Sequence, residues 1–158
     1  MSEKDDAAAE EVAALLADYR VVIEVPLHWG DQDALGHVNH VRYFRWCETA
    51  RIVYFEKVGL MKLHREREIG PIMAAVANDY RRQLTFPDVV HVGARVTRIG
   101  TTSIGLEHRV VSRSQSTVAA EGKSTHVVFD YNLQRPTRVP DEVRRAIEEL
   151  EGRAFPRS

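Results

Sequence analysis

The spacing of apolar positions changes character several times along the chain. Val12, Leu15, Leu16 and Tyr19 fall at i, i+3, i+4 and i+7, one stripe of a helix predicted over 7–19, with Glu10, Glu11 and Asp18 on its other face. From Val21 the period drops to two. Ile23, Val25, Leu27 and Trp29 point one way and Glu24, Pro26 and His28 the other, which is a strand. Pro26 has no amide to donate, so this strand belongs at a sheet edge or beside a bulge. A turn-rich stretch, Gly30 to Gly36, follows. Asn39 then precedes a long helix as a good N-cap, its side chain able to accept from the free first-turn amides, and Gly59 is placed to end that helix near Val58. The apolar residues Val41, Tyr43, Phe44, Trp46, Cys47, Ala50, Ile52, Val53, Phe55 and Val58 cover most of its circumference. Such a helix should be enclosed by other structure.

The rest of the chain supplies the enclosure. After a charged stretch read as a loop (His64 to Glu68), strand patterns fall near 72–86, 89–99, 102–113 and 117–132, with turns at Gly100 and at Ser114-Gln115-Ser116. Short links between consecutive strands imply an antiparallel sheet. Pro140 opens a last short helix with Val143, Ile147 and Leu150 on one face. The expected class is α+β: a curved antiparallel sheet of about five strands wrapped around one long central helix, with short N- and C-terminal helices. The expected organisation is a helical extension over 1–19, a single domain over 20–151 and a tail over 152–158.

Composition narrows the function. A chain of 158 residues, 44% apolar and 28% charged, suits one globular core. A net charge of −1 with scattered basic residues lacks the footprint of a nucleic-acid binder. No window approaches the ~20 apolar residues that cross a bilayer, and the polar, acidic start does not read as a signal peptide, so neither membrane nor export is expected. Cys47 is the single cysteine; it allows no internal disulfide, fits a reducing, cytoplasmic setting and reads as a packing residue.

The chemistry concentrates in Trp29-Gly-Asp-Gln-Asp-Ala-Leu-Gly-His-Val-Asn39, followed by Tyr43 and the apolar helix. This string resembles the signature of the 4-hydroxybenzoyl-CoA thioesterase-like branch of the hotdog superfamily. The similarity continues through Leu84-Thr-Phe-Pro-Asp88, Arg98-Ile-Gly-Thr-Thr-Ser103 and Arg135-Pro136, in the expected order. The resemblance implies a hotdog fold, an acyl-CoA substrate, no cofactor, Asp33 as the catalytic carboxylate, and an oxyanion-binding amide at the helix start, His40 with Val41 beside it. Each role makes physical sense. The first amides of a helix lack internal acceptors and sit at the positive end of its dipole, suited to a developing oxyanion. A carboxylate can deprotonate water or attack the carbonyl itself, and the residues leave both routes open. A thiol departs as thiolate, so no strong general acid is required.

The other polar residues divide between chemistry and turn. Asp31 is read as bonding nearby turn amides. His37 lines the pocket or fixes the turn with Gly36, Asn39 caps, and Glu48 pairs with Arg45 or Arg51 along the helix. An EF-hand reading of Asp31 to Gly36 fails because Leu35 stands at its fifth position and Arg42 at its twelfth, where a glutamate is needed. Asp31, Asp33, His37 and His40 need no metal to explain them. For coenzyme A phosphates the candidates are Arg81, Arg82, Arg98, Ser103 and Lys123, since the turn at Gly100-Thr101-Thr102 carries no basic residue. Alternative readings are a thioesterase acting on a carrier-protein-bound acyl chain and a non-catalytic acyl-CoA-binding protein. The resemblance also implies a homodimer or a dimer of dimers (a homotetramer).

Overall fold

Helix α1 (Glu3–Leu15) begins at Ser2, whose hydroxyl accepts from the Asp5 amide while the Asp5 carboxylate accepts from the Ser2 amide. This reciprocal cap starts the helix four residues before the expected point. Residues 2–157 are described by the structure, a computed structural model. The stripe read from the sequence does dock: Val12, Leu16 and Tyr19 are buried with Val111 on the convex side of the sheet. Gly93 permits this, because a Cβ there would lie 2.7 Å from the Tyr19 ring. Arg95 and Arg109 stack over the same ring, and Arg109 donates to the Leu15 carbonyl at 2.8 Å, satisfying one of the open acceptors at the end of α1.

Five strands make the sheet proper: β1 (Val21–Pro26), β2 (Ile69–Tyr80), β3 (Val89–Ile99), β4 (Ser103–Ser112) and β5 (Thr117–Asp130), all antiparallel in the order β1-β3-β4-β5-β2. A two-residue β6 (Arg135–Pro136) adds to the end of β5. β1 is an edge strand, as Pro26 requires. Helix α2 (His40–Lys57) lies across the concave face, with Asn39 as its cap and Gly59, at φ 83°, ending the run. Tyr43, Trp46, Cys47, Ala50, Tyr54 and Phe55 meet Val90, Val92, Val96, Leu106 and Val110 in one core. Each such aliphatic or aromatic side chain contributes roughly 1.5–3 kcal/mol on burial, so α2 is the main anchor of the domain. This is the hotdog arrangement that the resemblance implied. Helix α4 (Asp141–Glu151) closes one end, its Glu151 carboxylate accepting from Tyr54 Oη at 2.5 Å and from the Val96 amide at 3.1 Å.

Three expectations are corrected. The charged stretch after Gly59 is a helix, α3 (Leu60–Arg67), because Leu60 and Leu63 bury one side while Arg65 pairs with Glu56 on the other. The strand expected over 72–86 runs instead from Ile69 to Tyr80. Beyond Tyr80 the chain leaves the sheet: Leu84 is fully buried and its carbonyl accepts from the Val38 amide at 2.9 Å, tying this segment to the loop before α2. Finally, α2 is not enclosed on all sides. Val41 and Ile52 are exposed within one protomer, alongside Met73 and Val76 of β2.

Candidate active site

The loop from Trp29 to Asn39 is a narrow, doubly pinned turn. Gln32 and Val38 bridge, the Asp33 amide donates to the His37 carbonyl at 3.0 Å, and the Asn39 amide donates to the Asp31 carbonyl at 2.9 Å. Gly36 donates back to the Asp33 carbonyl at 3.0 Å with φ 85°, a left-handed conformation in which glycine meets no steric cost. The segment from Arg81 to Asp88 clamps the loop from the side, through the Leu84 carbonyl and through the Phe86 amide, which donates to Gln32 Oε1 at 3.1 Å.

The two aspartates take different positions at this tip. Asp31 is buried; it accepts from the His28 amide at 2.8 Å and faces Arg42 at 3.4 Å, so its charge holds the turn. Asp33 is exposed. Its Oδ1 accepts from the Leu35 amide at 2.9 Å and its Oδ2 from Asn39 Nδ2 at 3.4 Å. Two acceptor contacts leave about two of the carboxylate's roughly four lone-pair positions free.

Asn39 connects that carboxylate to α2. While its amide nitrogen reaches Asp33, its Oδ1 accepts from the Val41 amide at 3.0 Å. The Val41 N–H is therefore already used, a correction to the expectation that it faces a substrate. The His40 amide makes no hydrogen bond among the described residues and is the open donor at the positive end of the helix. Tyr80 Oη donates to the His40 carbonyl at 3.2 Å, and the rings of His40, Tyr80 and Tyr43 stack edge to face. Burial pushes the Tyr43 hydroxyl up to about 12, so it remains a neutral wall.

A cleft of about 270 Å³ lies here, lined by His37, His40, Tyr43, Tyr80, Arg81 and Arg82. It gathers two of the five phosphate candidates beside the helix start. The others stand elsewhere in the protomer. Arg98 bonds Ser103 at 3.1 Å near the far end of the strands, since β3 meets the end of β1 at Val89 and runs away from it to Ile99. Lys123 alternates with the buried Ser124, and so faces the convex side. Around the loop tip Trp29, Leu35 and Phe86 are exposed, Trp29 edge-on to Phe86 at 6.0 Å. Tyr80 and this apolar rim had no signal in the sequence pattern, because their grouping depends on where the Arg81–Asp88 segment turns.

Elsewhere on α2, Glu48 pairs with Arg45 at 3.0 Å and approaches Arg51 at 4.0 Å, as the spacing implied. Cys47 is buried, and burial pushes its thiol up to about 12, which removes it from nucleophilic chemistry at neutral pH. No group of three or more His, Cys, Asp or Glu side chains is gathered as a metal cradle among the described residues. No helix is long and apolar enough to cross a membrane among them.

Residues 27–147 match the sequence profile of the thioesterase-like superfamily. A thioesterase from Thermus thermophilus, whose crystal structure holds coenzyme A and zinc, superimposes with a TM-score of 0.77 at 31% identity, covering 87% of this chain and 98% of that one. Among curated proteins, zebrafish (Danio rerio) Protein THEM6 is 31% identical over 106 residues, 67% of this chain and 52% of its own length. The acyl-CoA thioesterase YbgC of Haemophilus influenzae is 27% identical over 128 residues, 80% of this chain and 93% of its own length. The chain spans only about half the length of the first curated relatives it matches (52% and 56%).

Proposed function

The chain belongs to the thioesterase-like superfamily, and from that premise we propose that it hydrolyses acyl-CoA thioesters with Asp33 as the reacting carboxylate and the His40 amide as oxyanion donor. One observation carries the reading. Asn39 spans from the Asp33 carboxylate to the first turn of α2 and leaves the His40 amide open beside it. A thioester carbonyl directed at that amide would develop its negative charge against a fixed N–H at the positive end of a helix dipole. Asp33 then acts in one of two ways. It takes a proton from water as the water oxygen attacks the carbonyl carbon, or it attacks that carbon itself to form an anhydride that water opens. Both routes break the C–S bond, release coenzyme A as thiolate and consume one water. Arg81 and Arg82 beside the cleft offer cations to the nucleotide phosphates.

The names of two relatives support this substrate class, one being an acyl-CoA thioesterase and the other crystallised with coenzyme A. The working unit we infer is a homodimer formed through α2 and β2, whose apolar residues lie open in one protomer. The deciding experiment is a thiol-release assay over a panel of acyl-CoA esters. Turnover that Asp33→Asn abolishes supports the assignment; no release from any ester, or full release by Asp33→Asn, removes it.

A further inference from the structure

A furrow runs along α2 from the helix start, bounded on its other side by β2. Past Val41 and Phe44 it includes a cavity of about 210 Å³ and then a wider one of about 550 Å³, both lined by Glu48, Arg51 and Met73. The wider cavity has apolar walls, chiefly Ile52, Val53, Phe55 and Pro71, yet Arg51 and His126 also line it.

That polar lining is unusual in its bonding. Arg51 is 5% exposed and donates no hydrogen bond among the described residues; its one ionic neighbour, Glu48, stands 4.0 Å away and is already bonded to Arg45. His126 is 3% exposed, with Nε2 against Ser124 Oγ at 3.1 Å and its ring edge-on to Phe55. Outside this lining His108, 2% exposed and part of neither cavity wall, has a buried Nε2 with no partner among the described residues. Burial first, and the Arg51 charge second, push His126 down to about 4 and His108 to about 3, so both rings are neutral at physiological pH. The Arg51 guanidinium, only loosely matched by Glu48, turns donors toward the cavity that no group among the described residues takes, and an anion entering there would meet a largely desolvated cation. An acyl chain of methylenes would suit the walls but leave those donors unmet.

We propose that this polar floor binds the far end of the acyl group: the preferred substrates carry a carboxylate remote from the thioester, held by Arg51 with His126 beside it. The inference rests on the thioesterase reading and adds the substrate class. Arg51 lies about 16 Å along the helix axis from His40, at about 1.5 Å per residue, and helical side chains lean back toward the N-terminus. Thioester and carboxylate would therefore be separated by an acyl chain of intermediate length.

The test compares suberoyl-CoA with octanoyl-CoA, equal in carbon count and different only in the terminal carboxylate. For the wild-type chain kcat/KM should favour suberoyl-CoA by roughly tenfold or more, the scale of one charge-assisted contact. Arg51→Met and His126→Phe should each shrink that ratio. Calorimetric binding of both esters to Asp33→Asn should show the same preference without turnover. A wild-type ratio at or below one overturns the proposal, as does a ratio unmoved by both substitutions. If Arg51→Met does not fold, His126→Phe and the wild-type ratio still decide. A partner chain's carboxylate satisfying Arg51 in the dimer would appear as weaker dimerisation of Arg51→Met with an unchanged ratio, which also overturns it. Tight binding of suberoyl-CoA without hydrolysis of either ester would remove the hydrolase reading and leave the pocket. Equal hydrolysis of the two would do the reverse.

Discussion

The division of labour between Asp31 and Asp33 gives the sharpest expectations at the residue scale. Asp33 is exposed and only partly bonded, whereas Asp31 is buried and holds the His28 amide and Arg42. Asp33→Asn should lower thioester hydrolysis at least ~100-fold with little change in melting temperature, the loss expected of a base or nucleophile. Asp31→Asn should do the opposite, costing about 1–3 kcal/mol of stability by weakening a buried charged acceptor and sparing more of the turnover. Exchanged behaviour would show that Asp31 is the reacting group. The oxyanion role proposed for His40 is testable because it would belong to a backbone N–H. His40 is the first residue of α2, and Asn39 before it is extended at ψ 136°, the conformation that precedes proline comfortably. His40→Pro should thus keep the helix while deleting the donor, lowering kcat by roughly 10²–10³-fold. A His40→Pro enzyme of normal rate would exclude this amide from the chemistry.

At the scale of elements, the sequence was most legible where a local period decides the outcome. The stripe of α1, the period-two β1 and the cap at Asn39 all carry their signal within a few residues. The misreadings share a physical cause. Helix α3 has only Leu60 and Leu63 as buried contacts among charged neighbours, too short a stripe to stand out. The Arg81–Asp88 segment has strand-like residues, but Leu84 turns inward to hold the loop, a tertiary effect with no local trace. On β5 the apolar Val127 and Phe129 are only half-buried, while the polar Ser124 and His126 face α2, so hydrophobicity alone does not mark the inner side. Burying histidine there ties stability to pH. His108 and His126 ionise near 6.5 in an unfolded chain but only near about 3 and 4 when buried. The unfolded chain therefore binds the additional protons as pH falls below 6.5, and the stability present above that pH is lost progressively toward pH 4. Thermal melts over this window should fall less steeply for His126→Phe than for the wild type; parallel curves would show that His126 does not titrate as its burial requires.

For the whole molecule, the open side of α2 and the free edge of β2 pose the same problem. β2 ends the sheet order, leaving one row of its backbone groups without a strand partner, and such edges invite pairing. Met73 and Val76 on that strand and Val41 and Ile52 on the helix are each about 40–50% exposed in one protomer, a contiguous stretch beside the furrow that begins at His40. Two copies related by a two-fold axis would cover both features at once, extending the sheet through β2 and bringing the two α2 helices together. The furrow would then be roofed by the partner, so substrate binding and assembly become one property. The expected outcome is a homodimer in light scattering whose activity per chain falls with dimer on dilution. Met73→Lys should act on both together, because a charge in the centre of the apolar stretch opposes its burial. Met73 also lines the furrow, so a loss of turnover is assigned to assembly only where light scattering shows the dimer lost in proportion. A Met73→Lys monomer that hydrolyses acyl-CoA at the full rate would confine the active site to a single chain.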